Sequence, residues 1–187
     1  MADVFVRAAR VIDAGGFAAV QRRSWQASAN DLGLPAPPDA GFMERSWEKA
    51  VMAPPSDRHR TWVAVETSSG DEVVVGAAAL APASDPDLDS DGCLELLVLT
   101  VAPEHRGRGH GSRLLTAALQ TAAAAGEREA VVWVASADDS LRRFLEAAGW
   151  AADGAYRTLA TDAPPADEPV AAELRQIRLS TSLESSR

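Results

Sequence analysis

The sequence predicts one domain of the α/β class, and three observations support that prediction. Its 187 residues, 47% hydrophobic and 24% charged, have the length and composition of an ordinary globular domain. Apolar residues recur at helical spacing in the first third of the chain and give way to β-branched runs after residue 60. Residues 94–135 then alternate strand, helix and strand, which is the pattern of a β-α-β unit. A chain of this length buries enough surface to fold without a metal or a disulfide.

The first half of the chain is predicted to contain one strand, two helices and a β-hairpin. Glycine and prolines separate the two helices, and a proline pair stops the second. Turn residues at 68–71 separate two β-branched runs, which indicates the hairpin. In order, the elements are a strand at 4–7, a helix at 12–28, a second helix that contains Phe42 and ends before Pro54, and strands at 61–66 and 73–80.

The second half is predicted to contain the β-α-β unit, a short helix and two late strands. The near-continuous apolar run at 130–135 is typical of a strand that is buried on both faces. Gly149 closes the short helix. The segment 161–169, rich in proline and aspartate, is interpreted as a long loop or lid. In order, the elements are a strand at 94–101, a helix at 112–125, a strand at 130–135, a helix at 140–148, and strands at 155–159 and 174–182.

Charge and targeting signals narrow the class of protein. A formal net charge of −9 argues against nucleic acid as the main partner, because nucleic-acid binding depends on cationic side chains that neutralise phosphates. The single cysteine, Cys93, has no partner for an internal disulfide and is interpreted as a packing residue, not as an acyl-carrying nucleophile. We find no signal peptide and no apolar stretch long enough to span a bilayer. These features predict a cytoplasmic protein with no membrane partner.

The turn between strand 94–101 and helix 112–125 has the composition of an anion-binding nest. Gly107, Gly109 and Gly111 allow backbone N–H groups to point into one concavity, and the following helix adds its own free N–H groups and positive dipole end. Arginines surround this nest, at Arg106, Arg108 and Arg113. A bound phosphate group is the predicted occupant, and a purely structural glycine-rich turn is the alternative.

Two common phosphate loops are excluded by the same residues. The turn has no Gly-Lys-Ser/Thr sequence, so it is not the P-loop of a nucleoside-triphosphate hydrolase. The third glycine of a dinucleotide-binding fingerprint would fall at Ser112, and the acidic residue about twenty positions on, Glu127, precedes the next strand.

Two segments resemble motifs of one enzyme family. The segment Val101-x-Pro-x-x-Arg106-Gly-x-Gly109-x-Gly111-x-x-Leu-Leu115 resembles motif A of the GNAT superfamily of N-acetyltransferases. Downstream, Asp138-x-x-Leu-Arg-Arg-Phe-Leu-Glu-Ala-Ala-Gly149-Trp150 is similar to a second motif of that family. The order of predicted elements along most of the chain fits the family as well.

The resemblance implies a fold, a cosubstrate and a division of the chain. The expected fold is α/β of the α+β type, with a mixed, mostly antiparallel sheet of six or seven strands, helices on both faces, and a V-shaped splay between strands 94–101 and 130–135. The chain is expected to form one domain, 1–187. Its parts would be an acetyl-CoA-binding core at about 94–150, acceptor-side helices at about 12–54 and the late loop at 161–169. Dimerisation is common in the family, and no metal is expected. The expected acetyl-CoA-binding residues are Leu99, Val101, Arg106, Gly107, Arg108, Gly109, His110, Gly111, Ser112 and Asp138.

Glu95 is the candidate general base. It lies eleven residues before Arg106, where several members of the family place a glutamate that removes the proton of the amine. Regular alternation along the strand would put Glu95 on the same face as Leu97, Leu99 and Val101, and such neighbours would raise its pKa by desolvation. The alternative is a structural glutamate in water or in an ion pair. By resemblance alone, the backbone N–H of Val101 is the expected donor to the oxyanion.

The general acid is a departure from the family pattern. Leu145 stands where the family usually has a tyrosine that protonates the departing CoA thiolate. Tyr156, Ser140 or water are the alternatives, so the acid stays unassigned. The departure also supports a rival function, in which the domain binds acetyl-CoA as a sensor or scaffold with weak or no catalysis.

Metal binding is not predicted. The acidic run from Asp85 begins like a calcium loop, but the twelfth position counted from Asp87 is Val98, so no glutamate closes it. We interpret the run as a solvated loop that could also attract a cationic amine. The three histidines lack metal-ligand spacing, and His105 and His110 are interpreted as surface neighbours of the nest. The three are His59, His105 and His110.

The acceptor is left open by the sequence. A protein N-terminus, a lysine, a polyamine, an aminoglycoside or a small metabolite would each serve, and another acyl-CoA could replace acetyl-CoA. Trp25 and Trp47 fall in the early helices, which border the acceptor pocket in this family, although packing in the core is the favoured interpretation for both.

Overall fold

A computed structural model describes residues 3–68, 70–160 and 173–183 of the chain. The predicted loop at 161–169 lies outside these residues. The four α-helices of the described residues are α1 (Ala14–Leu32), α2 (Ala40–Met52), α3 (His110–Ala124) and α4 (Asp139–Ala147). The seven strands are β1 (Asp3–Ala8), β2 (Arg60–Ser68), β3 (Asp71–Pro82), β4 (Cys93–Val101), β5 (Glu129–Ala135), β6 (Ala151–Ala160) and β7 (Glu173–Ser182).

The strands form one mixed sheet in the order β1-β2-β3-β4-β5-β7-β6. The pair β4 and β5 is parallel, because α3 crosses between them, and the other five pairs are antiparallel. The predicted α+β fold with a mixed, mostly antiparallel sheet is therefore confirmed. None of the helices in the described part of the chain has the length and hydropathy needed to cross a bilayer.

Local signals set the ends of the helices. Gly33 takes the left-handed conformation that ends α1, with a φ of 63°. The Asp39 carboxylate accepts a hydrogen bond from the N–H of Phe42 and so caps the start of α2. At the end of α4, Gly149 has a positive φ, as its predicted role in closing that helix requires. The α3 helix begins at His110, two residues earlier than the sequence suggests, so Gly111 lies inside it.

Helices cover both faces of the sheet. The larger core lies under α3 and α4, where Leu114 and Leu145 pack with strand residues such as Leu94. The smaller core lies under α1, where Phe17 is fully buried. Trp47 stacks on Phe17 with ring centroids 3.8 Å apart, which confirms a packing role for that tryptophan.

The β4 and β5 strands separate soon after they meet. They pair at only three positions, where Cys93, Leu94 and Glu95 face residues 129–131. Beyond Glu95, β4 stays paired with β3 while β5 stays paired with β7. The result is the predicted V-shaped gap, with its apex at Glu95.

A β-bulge in β4 changes which side chains share a face. Val98 pairs with Ala79 and Leu96 pairs with Leu80, so Leu97 is the extra residue. The prediction that Glu95 shares a face with Leu99 and Val101 is wrong, since the extra residue reverses the alternation. The packing of the side chains shows the two faces directly. Leu99 and Val101 pack against the core under α3, and so do Leu94 and Leu96, which flank Glu95 in the sequence.

Candidate acetyltransferase site

The glycine turn adopts a conformation that non-glycine residues rarely reach. Gly107 and Gly109 have φ values of 75° and 81°, and Gly109 immediately precedes α3. Nothing lies within 4 Å of the position that a Cβ would take on Gly107. Two glycines, not three, therefore shape the nest, while Gly111 belongs to the first turn of α3. Free N–H groups of that first turn add to the nest.

A cavity of about 550 Å³ opens in front of the nest. Its walls are the end of β4, the glycine turn, the start of α3 and the start of α4, and its volume is in the range of ligand pockets. Arg108 does not line it, because its guanidinium turns back to the backbone oxygen of Glu104 at 3.1 Å. The other nine predicted cofactor-binding residues do, and they are Leu99, Val101, Arg106, Gly107, Gly109, His110, Gly111, Ser112 and Asp138.

The carbonyl group of Val101 points into the gap. Its oxygen accepts hydrogen bonds from the Ser24 hydroxyl at 3.1 Å and from Arg106 Nε at 3.3 Å. Arg106 also donates to the Ser24 hydroxyl at 2.7 Å, which ties α1 to the end of β4. The N–H and C=O of one strand residue point the same way, so the Val101 N–H is directed away from β3 and toward the gap.

Glu95 is buried at the apex of the gap. The residue is 8% exposed, and its backbone pairs with Ala81 of β3 on one side and with Val131 of β5 on the other. Burial raises the pKa of Glu95 above its ordinary value, the charge of Arg157 partly opposes that rise, and the charge of Asp85 adds to it. Within the described residues no hydrogen bond or ion pair to this carboxylate contributes. The described part of the chain thus provides no ion pair of the kind expected for a structural glutamate.

A family model identifies the family of the chain. The model of the acetyltransferase (GNAT) family matches residues 23–150, a segment that includes the nest, α3, α4 and the strands on both sides of the gap. The chain belongs to the GNAT family. As a member of this acetyltransferase family, it is an acyltransferase. No curated protein matches the sequence.

Solved structures with the same fold come from several bacteria. An N-acetyltransferase from Staphylococcus aureus Mu50 is 17% identical, with a TM-score of 0.71 and coverage of 97% of this chain and 99% of that one. A GNAT phosphinothricin acetyltransferase from Sinorhizobium meliloti, in complex with acetyl-CoA, is 20% identical, with a TM-score of 0.70 over 97% and 89%. A ribosomal-protein-alanine N-acetyltransferase from Brucella melitensis is 19% identical, with a TM-score of 0.68 over 95% and 99%.

The second GNAT motif forms the start of α4 and one wall of the cavity. One carboxylate oxygen of Asp138 accepts a hydrogen bond from the N–H of Leu141 at 2.9 Å and caps the helix. Ser140 and Phe144 also line the cavity. Leu145, which replaces the family tyrosine, is fully buried in the core under α3 and α4.

The candidates for the general acid differ in position. Ser140 lies in the cavity wall, whereas Tyr156 on β6 is 66% exposed and is not a lining residue. Tyr156 pairs with Ile177, which packs on the α3 side of the sheet, and Arg175 lies over the Tyr156 ring at 4.9 Å.

Burial raises the pKa of the Cys93 thiol to about 11, which agrees with a packing role for that residue.

The acidic run is a loop that is anchored to the sheet. Arg178 of β7 is 6% exposed and binds Asp85 at 3.4 Å, Asp87 at 2.8 Å and Asp153 of β6 at 2.6 Å. Trp133 of β5 also donates to Asp85, at 3.0 Å. Most residues of the loop are exposed, as predicted, but Arg178, 91 residues further along the chain than Asp87, anchors the loop to β7.

A cluster beside the nest was missed by the sequence reasoning. His110 is 1% exposed, so the prediction that it is a surface residue is wrong: as the first residue of α3 it turns inward. Its Nε2 lies 2.9 Å from Glu66 Oε1, and His105 Nδ1 lies 3.2 Å from the same oxygen. The ligand-type atoms of the three residues lie within 4.8 Å of one another, which is the spacing of a potential cation site. The two histidines already contact the Glu66 carboxylate. Glu66 is 44 residues from His110, so no local spacing could reveal it.

Proposed function

We propose that this chain transfers the acetyl group of acetyl-CoA to a primary amine by direct attack, with Glu95 as the general base. The observation that carries the proposal is the position of Glu95. It is a buried carboxylate with a raised pKa at the apex of the gap between β4 and β5, on strand β4 that leads into an anion-binding nest. A base on the strand and a phosphate site in the turn that follows it are what an acyl-CoA-dependent transfer needs.

The cavity fits acetyl-CoA in size and chemistry. The nest, with Gly107 and Gly109 in left-handed conformations at the start of α3, would hold the diphosphate. The gap would take the pantetheine arm, beside the main chain of Leu99 and Val101. Acetyl-CoA supplies the activated thioester. In the complex from Sinorhizobium meliloti, a protein of the same fold holds acetyl-CoA.

The residues of the chain then divide the chemistry. The Glu95 carboxylate, directly or through a water, takes a proton from the ammonium form of the amine, and the freed lone pair attacks the thioester carbonyl carbon. The Val101 N–H donates to the oxygen that gains negative charge. As the C–S bond breaks, the amine nitrogen loses its remaining extra proton, and the leaving thiolate gains a proton that is relayed through Ser140 or water. A raised pKa makes Glu95 a stronger base than an ordinary glutamate.

The acceptor class stays general in this proposal. We assign acceptor recognition to the early helices at 12–54 and to segment 161–169, and the cofactor core to 94–150 of one domain. Two proteins of the same fold are named for different acceptors, phosphinothricin and a ribosomal-protein alanine, so the fold alone does not select one. The net charge of −9 favours an amine over nucleic acid as the partner. We also propose a cytoplasmic location and, by resemblance, a homodimer.

Replacement of the base tests the mechanism. We expect Glu95→Gln to lower kcat by about 10²–10⁴-fold and to leave the KM for acetyl-CoA nearly unchanged, because the base acts on the amine. Glu129→Gln, on the paired strand at the same end of the gap, is the matched control and should keep full activity. Steady-state kinetics with an amine that the wild-type enzyme acetylates gives both constants. An unchanged kcat in Glu95→Gln would remove Glu95 from the mechanism.

One observation favours an alternative function. Leu145, at the position where the family usually has a tyrosine, is buried in the core and does not line the cavity. Without that tyrosine, the domain could bind acetyl-CoA as a sensor with little catalysis. Free CoA released over a panel of amines separates the two functions. A sensor would bind acetyl-CoA and release no CoA above the rate of hydrolysis.

A further inference from the structure

One carboxylate contacts residues at both ends of the glycine turn. Oε1 of Glu66, on β2, forms hydrogen bonds with His110 Nε2 after the turn at 2.9 Å and with Arg108 Nη1 within it at 3.5 Å. The same oxygen lies 3.2 Å from His105 Nδ1 before the turn, a contact at ion-pair distance without hydrogen-bond geometry. The two histidines line the cavity, whereas Glu66 does not. Glu66 therefore lies behind the nest, where it contacts the turn without facing a bound anion.

The Glu66 carboxylate is ionised and accepts a hydrogen bond from His110. Burial alone would raise the pKa of Glu66, but its contacts with His105 and His110 outweigh that effect and hold the pKa below its ordinary value. An ionised carboxylate only accepts hydrogen bonds, so His110 donates through Nε2. The other ring nitrogen of His110, Nδ1, is buried and has no partner among the described residues.

We propose that Glu66 is a positioning residue for the diphosphate of acetyl-CoA. Glycines lose more backbone freedom on ordering than other residues, so a turn with Gly107 and Gly109 needs restraint from outside itself. Glu66 supplies it by drawing both ends of the turn toward one oxygen atom. The backbone N–H groups of the nest are then arranged before the anion arrives. This inference rests on the proposed function, since it needs the diphosphate at the nest.

A matched pair of substitutions separates positioning from charge. Glu104 stands next to the same turn, and its half-exposed carboxylate binds Arg23 at 2.6 Å and no residue of the cluster. Loss of either carboxylate removes one negative charge near the nest, which by electrostatics alone would tighten the binding of an anion. Positioning predicts the opposite sign for Glu66 only.

Calorimetric titration with CoA measures the difference. We expect Glu66→Ala to raise the Kd for CoA about 10-fold, as for the loss of a hydrogen bond to a charged group, and Glu66→Gln to raise it less. Glu104→Ala should bind CoA as tightly as the wild type or more tightly. In kinetics, Glu66→Ala should raise the KM for acetyl-CoA and change kcat by less than about twofold, which a general loss of folded enzyme would not do.

The outcomes distinguish this inference from the proposed function. If the wild-type protein does not bind CoA, the proposed function fails. If the wild type binds CoA and both Glu66 variants bind it equally well or more tightly, the positioning role is overturned and the function stands. Should Glu66→Ala not fold, as judged by its thermal transition, the isosteric Glu66→Gln decides the question by the same measurements.

Discussion

At the scale of single residues, the burial of Glu95, our proposed general base, also affects the stability of the fold. Glu95 is 8% exposed in a strand that is paired on both sides at this position, and burial raises the pKa of its carboxyl group above the ordinary value. A carboxyl group whose pKa is raised by folding binds its proton more tightly in the folded than in the unfolded chain. Its contribution to stability is therefore complete below the pKa of the unfolded chain and is lost as the pH rises through the raised pKa of the folded state.

The pH dependence of stability tests this coupling. Glu95→Gln removes the ionisation, so the Tm of the variant relative to that of the wild type should increase between pH 4 and pH 8. The variant that loses activity should thus gain relative stability at neutral pH. Thermal unfolding of both proteins across that range measures the difference, with Glu129→Gln as the control for loss of one carboxylate at the same strand pair. A Tm difference that is constant across the pH range would show that burial does not perturb Glu95.

At the scale of secondary-structure elements, the sequence predicts most of the strands and helices but not their irregularities. All seven strands and four helices of the described residues were expected, because their apolar periods and turn residues are local signals. The bulge at Leu97 has no such signal, and it reverses the face of Glu95 relative to Leu99. A bulge depends on the pairing of β4 with β3, which a single strand does not encode.

Only part of the candidate site could likewise be predicted from the sequence. The nest could be predicted because its glycines and the helix that follows are contiguous in the sequence. Glu66 and Arg178 could not, since each contacts its partners across at least 25 residues of sequence. Long-range ion pairs follow from the packing of the sheet and leave no local pattern.

Gly76 of β3 lies beside Val101, which lines the cavity. It pairs with Val101 at the end of β4, and a methyl group there would meet the Thr100 carbonyl oxygen at 3.1 Å and Leu114 Cδ1 at 3.0 Å. We expect Gly76→Ala to lower the free energy of unfolding by about 1–3 kcal/mol, because overpacking displaces β4 or α3. Denaturation with urea measures this change.

A second glycine provides the control for Gly76. Gly15 lies in α1, where an added methyl group would meet only the flexible carboxylate of Glu44. Gly15→Ala should leave stability unchanged or raise it by up to about 1 kcal/mol, because alanine is the better helix former. Equal stability of the two variants would show that the β3–β4 interface has room for the methyl group.

At the scale of the whole molecule, the sheet has two arms joined at a narrow point. One arm is β1 to β4 and the other is β5, β7 and β6, and three residue pairs of β4 and β5 connect them directly. The core under α3 and α4 spans both arms. Two arginines add connections: Arg58 binds Glu127 beside β5 at 2.7 Å, and Arg178 binds the loop between β3 and β4. These contacts restrain the gap that we propose to hold the pantetheine arm.

Removal of Arg178 tests that restraint. We expect Arg178→Met to lower the Tm by about 5 °C, because it leaves the partly buried carboxylates of Asp85 and Asp153 without their cation. Arg128→Met is the control, since Arg128 pairs with Asp89 of the same loop at a site where both side chains are about two-thirds exposed. Its Tm should change by less than about 2 °C, as for an ordinary surface ion pair. Differential scanning calorimetry measures both shifts, and equal shifts would mean that Arg178 joins the arms no better than a surface arginine.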